Sequence, residues 1–441
     1  MGAERMTRNL FPLMLFVLLI SGIYGLTPAE RDAAEKGEVG YGLMMDAGST
    51  GSRIHVYRWV WNGDSLPNVT DDFFKQVKPG LSAFASDPAA AAHSLQPLLD
   101  YALSVMPQAS VKATWVQLFA TAGLRLLPDE QQTNLLNAVR QLLASSPFIF
   151  QDDWVAIASG EDEAVDAWIT ANYILKTATH IQPERTFGTI DLGGGSLQIT
   201  TRQEPSKTPV GPRFDLYLGD ESLPLFAQSY LGYGLMEQRR RVDGLVIQRS
   251  KVANNENDED INVEHPCLLR GAPSTGFFDV PEQYVFNGTS DFDSCFRLMQ
   301  TLASSCNDTA LECTSLASMP PPNFHGRYLA FSYVYDVLPE FVKGDTPTVA
   351  EIATAAREIC KMDYESFVSK HKDYETSHPD FQVRACQDLT YILYILEEYL
   401  NIPVDAQKVQ LVKQIHGKEM SWTLGATLRM LHRPSNVKRE L

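Results

Sequence analysis

Residues Tyr41 to Arg58 read YGLMMDAGSTGSRIHVYR, and residues Phe187 to Thr200 read FGTIDLGGGSLQIT. Each begins as a short apolar run ending in an aspartate, Asp46 or Asp191, turns through a Gly/Ser cluster and leaves as an alternating segment. In the first copy Ile54, Val56 and Trp59 interleave with His55, Tyr57 and Arg58, which is closer to strand than to helical periodicity. Both stretches therefore predict β-hairpins. Glycine at such turns admits positive φ and close approach of the backbone to a ligand, and successive amide N–H groups can converge on an anion. An aspartate at each strand end, facing one cleft, suits a hard divalent cation carrying phosphates. A single D-x-G turn is ordinary hairpin chemistry. Two copies with the same order of parts, about one domain apart, point to a phosphate site between two related halves.

Three other phosphate or nucleophile motifs do not fit. A Walker loop needs G-x-x-x-x-G-K-[ST] running into a helix, and neither copy has the lysine or the helix. The AGSTG around Ser49 mimics a serine-hydrolase elbow, but that motif also opens a helix. A dinucleotide fingerprint fails for the same reason, since Gly193, Gly194 and Gly195 lead into SLQITT.

With 441 residues and 44% hydrophobic content, the chain can bury a sizeable core in two to three domains. Its net charge of -17 excludes the basic face of a nucleic-acid binder. An anionic substrate would then need local help from amides, arginines and a metal. The N-terminus carries Arg5 and Arg8, an apolar run from Leu10 to Ile20, then small residues. Residues 1–26 thus read as a signal peptide, with an uncleaved signal anchor as the alternative. Membrane contact is expected through at most that one segment, and the chain is expected in the secretory pathway, secreted or lumenal/extracellular. The six cysteines all lie between Cys267 and Cys386, an even number that favours disulfides in such a compartment. Zinc is the rival, but no C-x-x-C pair exists, and the residues alone leave the connectivity open. Asn68, Asn287 and Asn307 begin N-x-[ST] sequons, candidate glycosylation sites.

Along the chain, Asp87 to Met106 reads as an alanine-rich helix and TWVQLFAT from Thr114 as a buried strand. That strand ends in ATAGLRLLP, placing Thr121, Gly123 and Arg125 at its carboxyl end before a helix from Pro128 to Leu143. Taken alone, Gly123 is turn punctuation and Arg125 a solvated charge; their place at a strand end favours a role in a cleft. In WVAIASGEDEAVDAWITANYILK, Val155 to Ala158 is strand-like and Ser159 can cap a helix with Asp162 three residues on. Val165, Trp168, Ile169 and Tyr173 form that helix's apolar face. Glu161, Asp162 and Glu163 fill its first turn, where acids complement the helix dipole or supply a general base. NNENDED, within Lys251 to Asn262, reads as a solvated loop, and Pro320 to Pro322 mark a break. The remainder reads as mostly helical, over Arg327 to Val342, Thr348 to Lys361 and Tyr391 to Leu400. VQLVKQI alternates like a strand, and SWTLGATLRML has Leu424, Leu428 and Leu431 at helical spacing.

With these pieces in order, the chain resembles the apyrase or nucleoside triphosphate diphosphohydrolase family, the ecto-apyrases and Golgi nucleoside diphosphatases. The resemblance rests on DAGSTGSRIHVYRW, ATAGLRLLP, SGEDEAVDAWITANY, DLGGGSLQI and SWTLG, in that order from Asp46 to Gly425, with SYLGYG from Ser229 as a further segment. It implies an α/β, actin-like (ribonuclease H-like) fold with the active site in the cleft between two domains. One domain would comprise 39–158 plus 411–436 and the other, bearing the disulfides, 159–410. It also implies hydrolysis of nucleoside di- and triphosphates with Ca²⁺ or Mg²⁺ as cofactor.

Carried over by position, Asp46 and Asp191 would hold the metal through its waters. Ser49, Thr50, Gly51, Ser52 and Arg53, with Gly193, Gly194 and Gly195, would cradle the phosphates, and Thr121 would lie near the attacked phosphoryl group. Glu163 would be the base on the attacking water, with Ser196 and Gln198 orienting it. Tyr335 would stack on the nucleobase; its other reading is core packing. The resemblance further implies pairing of Cys267 with Cys295, Cys306 with Cys313 and Cys360 with Cys386. The chain departs from the family at Ala164, where many members carry glycine, and at Ala385, where vertebrate ecto-enzymes place a second base-clamping tyrosine. With its polar end RPSNVKREL it is not expected to carry the C-terminal anchor of cell-surface members. A lumenal diphosphatase preferring GDP or UDP is the alternative within the fold. A slow actin-like nucleotide-binding module is the alternative outside the enzymes, disfavoured by the acids at Glu161 to Glu163 and by the secretory start.

Overall fold

The computed structural model describes residues 39–61, 66–176, 185–203, 212–218, 221–253, 261–273, 284–304, 315–316, 326–372, 374 and 380–431. Both quoted stretches are hairpins. β1 (Val39–Ala47) pairs antiparallel with β2 (Ser52–Val60), and β3 (Asn68–Val77) continues the meander. On the other side of β1 lie β4 (Trp115–Ala120) and β5 (Val155–Ile157), both parallel to it, giving the order β3-β2-β1-β4-β5. β1 is central, and its apolar run serves two cores because successive side chains leave opposite faces. Leu43 and Met45 pack with Leu98 and Leu135 from the helices over one face, while Met44 packs with Trp115 and Trp168 on the other.

The second sheet repeats the plan. β6 (Gly188–Leu192) and β7 (Ser196–Arg202) form its hairpin, followed by β8 (Arg213–Leu218) and β9 (Glu221–Leu231). β10 (Ile261–His265) and β11 (Tyr284–Gly288) form a separate parallel ribbon. β12 (Tyr328–Ser332) and β13 (Val409–Leu411) then return to pair in parallel beside β6, giving β13-β12-β6-β7-β9-β8. Apart from the extra edge strand β8, each sheet has three antiparallel strands followed by two parallel ones.

Two helical expectations are corrected. Arg327 to Val342 is not one helix: Tyr328–Ser332 is a strand, and only Tyr333–Val337 and a short turn after it are helical. β12 is flanked by β6 and β13 and buried along all but its last residue, so its apolar run shows no alternation to betray it. Asp87 to Met106 divides into Pro88–Ser94 and Gln96–Val105, because Pro97 can sit only in the first turn of a new helix.

The Gly160–Ile174 helix begins as its sequence predicts, with the Ser159 side chain accepting from the Asp162 N–H at 3.0 Å. The expected single apolar face is wrong, for nearly the whole helix is buried. It lies between β7 and β9 on one side and the Trp422–Leu431 helix on the other. Gly425 makes that second packing possible: a Cβ there would stand 1.9 Å from the Asp166 carbonyl oxygen. Its N–H donates instead to Thr170 Oγ1 at 2.8 Å, and Arg429 binds Asp162 at 2.8 Å and Asp166 at 2.7 Å.

Cys267 is bonded to Cys295 and Cys360 to Cys386. Cys306, Cys313, Asn307, residues 1–26 and the NNENDED segment lie outside the described residues; Asn68 and Asn287 are exposed. Among the described residues no helix is long and apolar enough to cross a membrane.

Candidate active site

The two hairpin loops close alike. Gly48 N–H donates to Gly51 O at 3.1 Å, and Gly193 N–H to Ser196 O at 3.0 Å. Strands follow both loops, as the failed Walker, elbow and dinucleotide readings require. None of Gly48, Gly51, Gly193, Gly194 or Gly195 adopts a left-handed φ. What glycine supplies here is close approach. A Cβ on Gly194 would stand 2.4 Å from Ser49 Oγ, and one on Gly123 would stand 2.7 Å from Ser49 Cα. The two loops and the end of β4 therefore meet around one point.

That point opens into a cavity of about 430 Å³ between the sheets. Asp46, Ser49, Thr50, Arg53, Thr121, Glu163 and Asp191 line it, as do Gly193, Gly194, Gly195, Ser196 and Tyr335. Three expected site residues do not. Gly51 packs against Gln76, Ser52 is buried under the loop, and Gln198 sits behind Ser196.

Glu163 is buried, whereas Glu161 in the same turn is exposed. Arg125 Nη2 donates to Glu163 Oε2 at 2.9 Å and to Ser196 Oγ at 3.2 Å, while its Nη1 donates to the Ala158 carbonyl at 2.9 Å. Gln198 Nε2 donates to Ser196 Oγ at 2.6 Å and to Ser229 Oγ at 2.9 Å, and lies 3.4 Å from Glu163 Oε2. Burial pushes the Glu163 carboxyl up to about 7; Arg125 pulls against that, and the charges of Asp191 and Asp46 add to it.

The aspartates have different partners. Arg53 Nη1 donates to Asp46 Oδ2 at 2.9 Å, and Ser332 Oγ donates to Asp191 Oδ1 at 2.6 Å. Burial raises Asp46 against the pull of Arg53. Burial also pushes Asp191 up to about 6, opposed by the Ser332 hydroxyl and helped by the charge of Asp46.

Residues 32–441 match the GDA1/CD39 (nucleoside phosphatase) family. The chain belongs to that family. It is 35% identical over 423 residues to ectonucleoside triphosphate diphosphohydrolase 6 of Rattus norvegicus, covering 93% of this chain and 85% of the relative. It is 34% identical over 405 residues to nucleoside diphosphate phosphatase ENTPD5 of Homo sapiens, covering 89% and 87%. Against guanosine-diphosphatase of Schizosaccharomyces pombe it is 32% identical over 432 residues, covering 91% and 76%. A solved structure of nucleoside triphosphate hydrolases from Neospora caninum superposes with a TM-score of 0.61 at 13% identity, covering 91% of this chain and 95% of that one. The fold is thus the actin-like, two-domain α/β architecture, and the reaction class is nucleoside phosphate hydrolysis.

In this GDA1/CD39 chain Arg125 takes the cleft role that its strand-end position favoured over a solvated charge: its side chain is 15% exposed and ties Glu163 to the second loop. Several other cleft residues escape sequence reading. Ser332 and Tyr333 enter the cleft because β12 is a strand, and Tyr333 Oη donates to Thr50 Oγ1 across it at 3.3 Å. Trp422, from the SWTLG stretch, lines the cleft with Lys78 and Lys413. Phe381 also lines it, one helical turn before Ala385, so an aromatic ring stands near the place the departure at Ala385 left in question.

The donors present fit a hydrated divalent cation. Asp46 Oδ1 is buried without a hydrogen-bond partner, and two raised carboxylates face the same cavity. Among the described residues no three His, Cys, Asp or Glu side chains converge as a cage. A cation with two carboxylates nearby would keep much of its water, as Mg²⁺ commonly does.

Proposed function

We propose that the chain hydrolyses the terminal phosphoanhydride of nucleoside di- and triphosphates in a Ca²⁺- or Mg²⁺-dependent reaction within the secretory pathway. The observation that carries this reading is the Glu163 carboxylate, buried beside both phosphate loops and held by Arg125. Arg125 and Gln198 both address Oε2, which leaves Oε1 to accept the proton of a water. That water oxygen bonds to the terminal phosphorus, the bridging P–O bond breaks, and the shorter nucleotide leaves with the bond's electron pair. A carboxyl drawn up to about 7 is well matched to general-base work near neutral pH. Ser196 and Gln198 orient the water, and the amides of both loops with Arg53 and Thr121 hold the phosphates. Held through water by Asp46 and Asp191, the cation would offset phosphate charge in an acidic protein. Tyr335 offers the nucleobase an aromatic wall, backed by the buried Phe381 with its Tyr333 and Arg239 contacts.

A preference for diphosphates is the second reading, favoured because two relatives are named as a nucleoside diphosphate phosphatase and a guanosine-diphosphatase. The N-terminal signal pattern and the two disulfides support the secretory compartment. Phosphate release from ATP, ADP, GDP and UDP with Mg²⁺ or Ca²⁺, repeated in chelator, tests the proposal. Release from GDP and UDP but not ATP selects the diphosphatase reading. Undiminished release in excess chelator overturns the metal dependence.

A further inference from the structure

Away from the cleft, a groove of about 650 Å³ runs between the Leu235–Ala253 and Phe292–Ser304 helices and the β10/β11 ribbon. Its lining carries balanced charge. Arg249 and Arg297 line it together with Glu264 and Asp291, of which Asp291 and Arg297 also bond Ser294, so the groove has no net pull on a phosphate. Hydroxyls of Ser250 and Thr301 extend the hydrogen-bonding surface, and Val246 and Leu298 give it an apolar floor. Such a mixture suits a neutral polyol with C–H faces, which is a sugar.

A sequon stands at the edge of this groove. On β10 Asn262 and Glu264 are exposed while Val263 between them is buried, so both side chains leave the same face, the one that lines the groove. In the parallel register Glu264 lies opposite Asn287, and Asn287 Nδ2 donates to Asn262 Oδ1 at 3.3 Å. Asn287 is therefore on that face too, exposed, and Thr289, the hydroxyl residue of its sequon, lines the groove.

The geometry points to Asn287 as an N-glycosylation site whose first sugars lie in this groove. The bond forms between Asn287 Nδ2 and C1 of an N-acetylglucosamine supplied by a polyisoprenyl-pyrophosphate-linked oligosaccharide. The C1–O bond to the pyrophosphate breaks, and the amide proton leaves with that group. The second amide hydrogen stays on Nδ2, so the Asn262 contact can survive the modification. The inference rests on the secretory reading proposed above.

The test is the full chain secreted from a glycosylating eukaryotic cell, with peptide mass spectrometry at Asn287 and at Asn68 as the reference sequon. Enzymatic deglycosylation of the native protein should be about tenfold slower at Asn287 than at Asn68, as one or two extra hydrogen bonds would make it. After denaturation the two rates should converge. Thr301→Trp, which fills the groove, should bring the native rate at Asn287 up to that at Asn68 without changing nucleotide hydrolysis. The Arg249→Ala, Arg297→Ala double variant serves the same purpose should the tryptophan disturb folding. An unmodified Asn287 overturns the proposal, and the state of Asn68 shows whether the secretory reading falls with it. Equal native rates in the parent, or slow release that persists in both variants, also overturn it.

Discussion

The two hairpins share a register and differ in what holds their aspartates. Asp46 stands opposite Phe119 on the parallel side and Arg53 on the antiparallel side; Asp191 stands opposite Phe331 and Gln198 in the same way. In the first half the opposite residue is a cation and binds its aspartate. In the second half it is an amide turned toward Ser196 and Glu163, and Asp191 takes a serine hydroxyl instead. The short helices after β4 and β12 each reach across the cleft, Arg125 to Ser196 and Tyr333 to Thr50. Duplication thus places two loops and two carboxylates symmetrically. Unequal side chains then give one loop a fixed positive charge and the other a water-activating group.

Breaking the carboxylate that Gln198 and Arg125 face should cost most. Glu163→Gln is expected to lower kcat by about 10²–10⁴-fold with nucleotide binding near normal, while Glu161→Gln, exposed in the same turn, should do little. Purified variants at saturating nucleotide and Mg²⁺ check this, and a Glu163→Gln enzyme within threefold of the parent would refute the base assignment.

The shared feature comes next. Asp46→Ala and Asp191→Ala should each lose about 10–100-fold in activity and in apparent affinity for Ca²⁺ or Mg²⁺, the cost usual for residues that act on a metal through its outer shell. Metal titration by calorimetry and by rate should agree; loss of activity with unchanged cation binding would separate the two carboxylates from the metal.

Ser332→Ala sharpens the asymmetry, because only Asp191 depends on that hydroxyl. Losing a donor to the ionised form raises the Asp191 pKa beyond about 6, so activity should fail at higher pH as pH falls. About tenfold less kcat/KM at pH 6, with near-parental values at pH 8, is the expected profile. A uniform loss at both pH values would place Ser332 elsewhere in the reaction.

Tyr333→Phe removes one cross-cleft bond and should raise KM about threefold with little change in kcat. An unchanged KM would make that contact incidental.

The smallest effect is on stability. Folding lifts the Glu163 carboxyl from its ordinary value of 4.5 to about 7, so its contribution is fully present below pH 4.5 and is lost as pH rises through about 7. Glu163→Gln does not titrate. At pH 8 the variant should melt about 3 °C above the parent, and the gap should close by pH 4. A variant that melts lower at pH 8 would mean that the Arg125 pair outweighs the cost of burial.

The hairpins were legible because alternation, an aspartate and a glycine cluster occur within a few residues of one another. Ser159 was legible as a cap for the same local reason. β12 was not: YLAFS is apolar throughout and buried, so it lacks a period, and the helical turn after it invited a helical reading of the whole stretch. Ser332 and Tyr333 were lost with it. Arg125 was half legible: its place at a strand end marked a cleft, but its partners Glu163 and Ser196 are 38 and 71 residues away and could not be named from its neighbours. The echo between β4 and β12 was the one available signal, because each is a strand opposite an aspartate that runs straight into a short helix.

The Trp422–Leu431 helix sets the order of events at the ribosome. Its Gly425 N–H meets Thr170, and Thr423 shares a hydrogen bond with Tyr57 across a separation of 366 residues. Translation at about 5–20 residues per second puts roughly 20–70 s between the emergence of those two partners. During that interval β1 and the Glu163 helix lack the neighbour that covers their shared core, and Trp422 is missing from the cleft wall. Hydrolytic competence should begin only once this helix has emerged and docked.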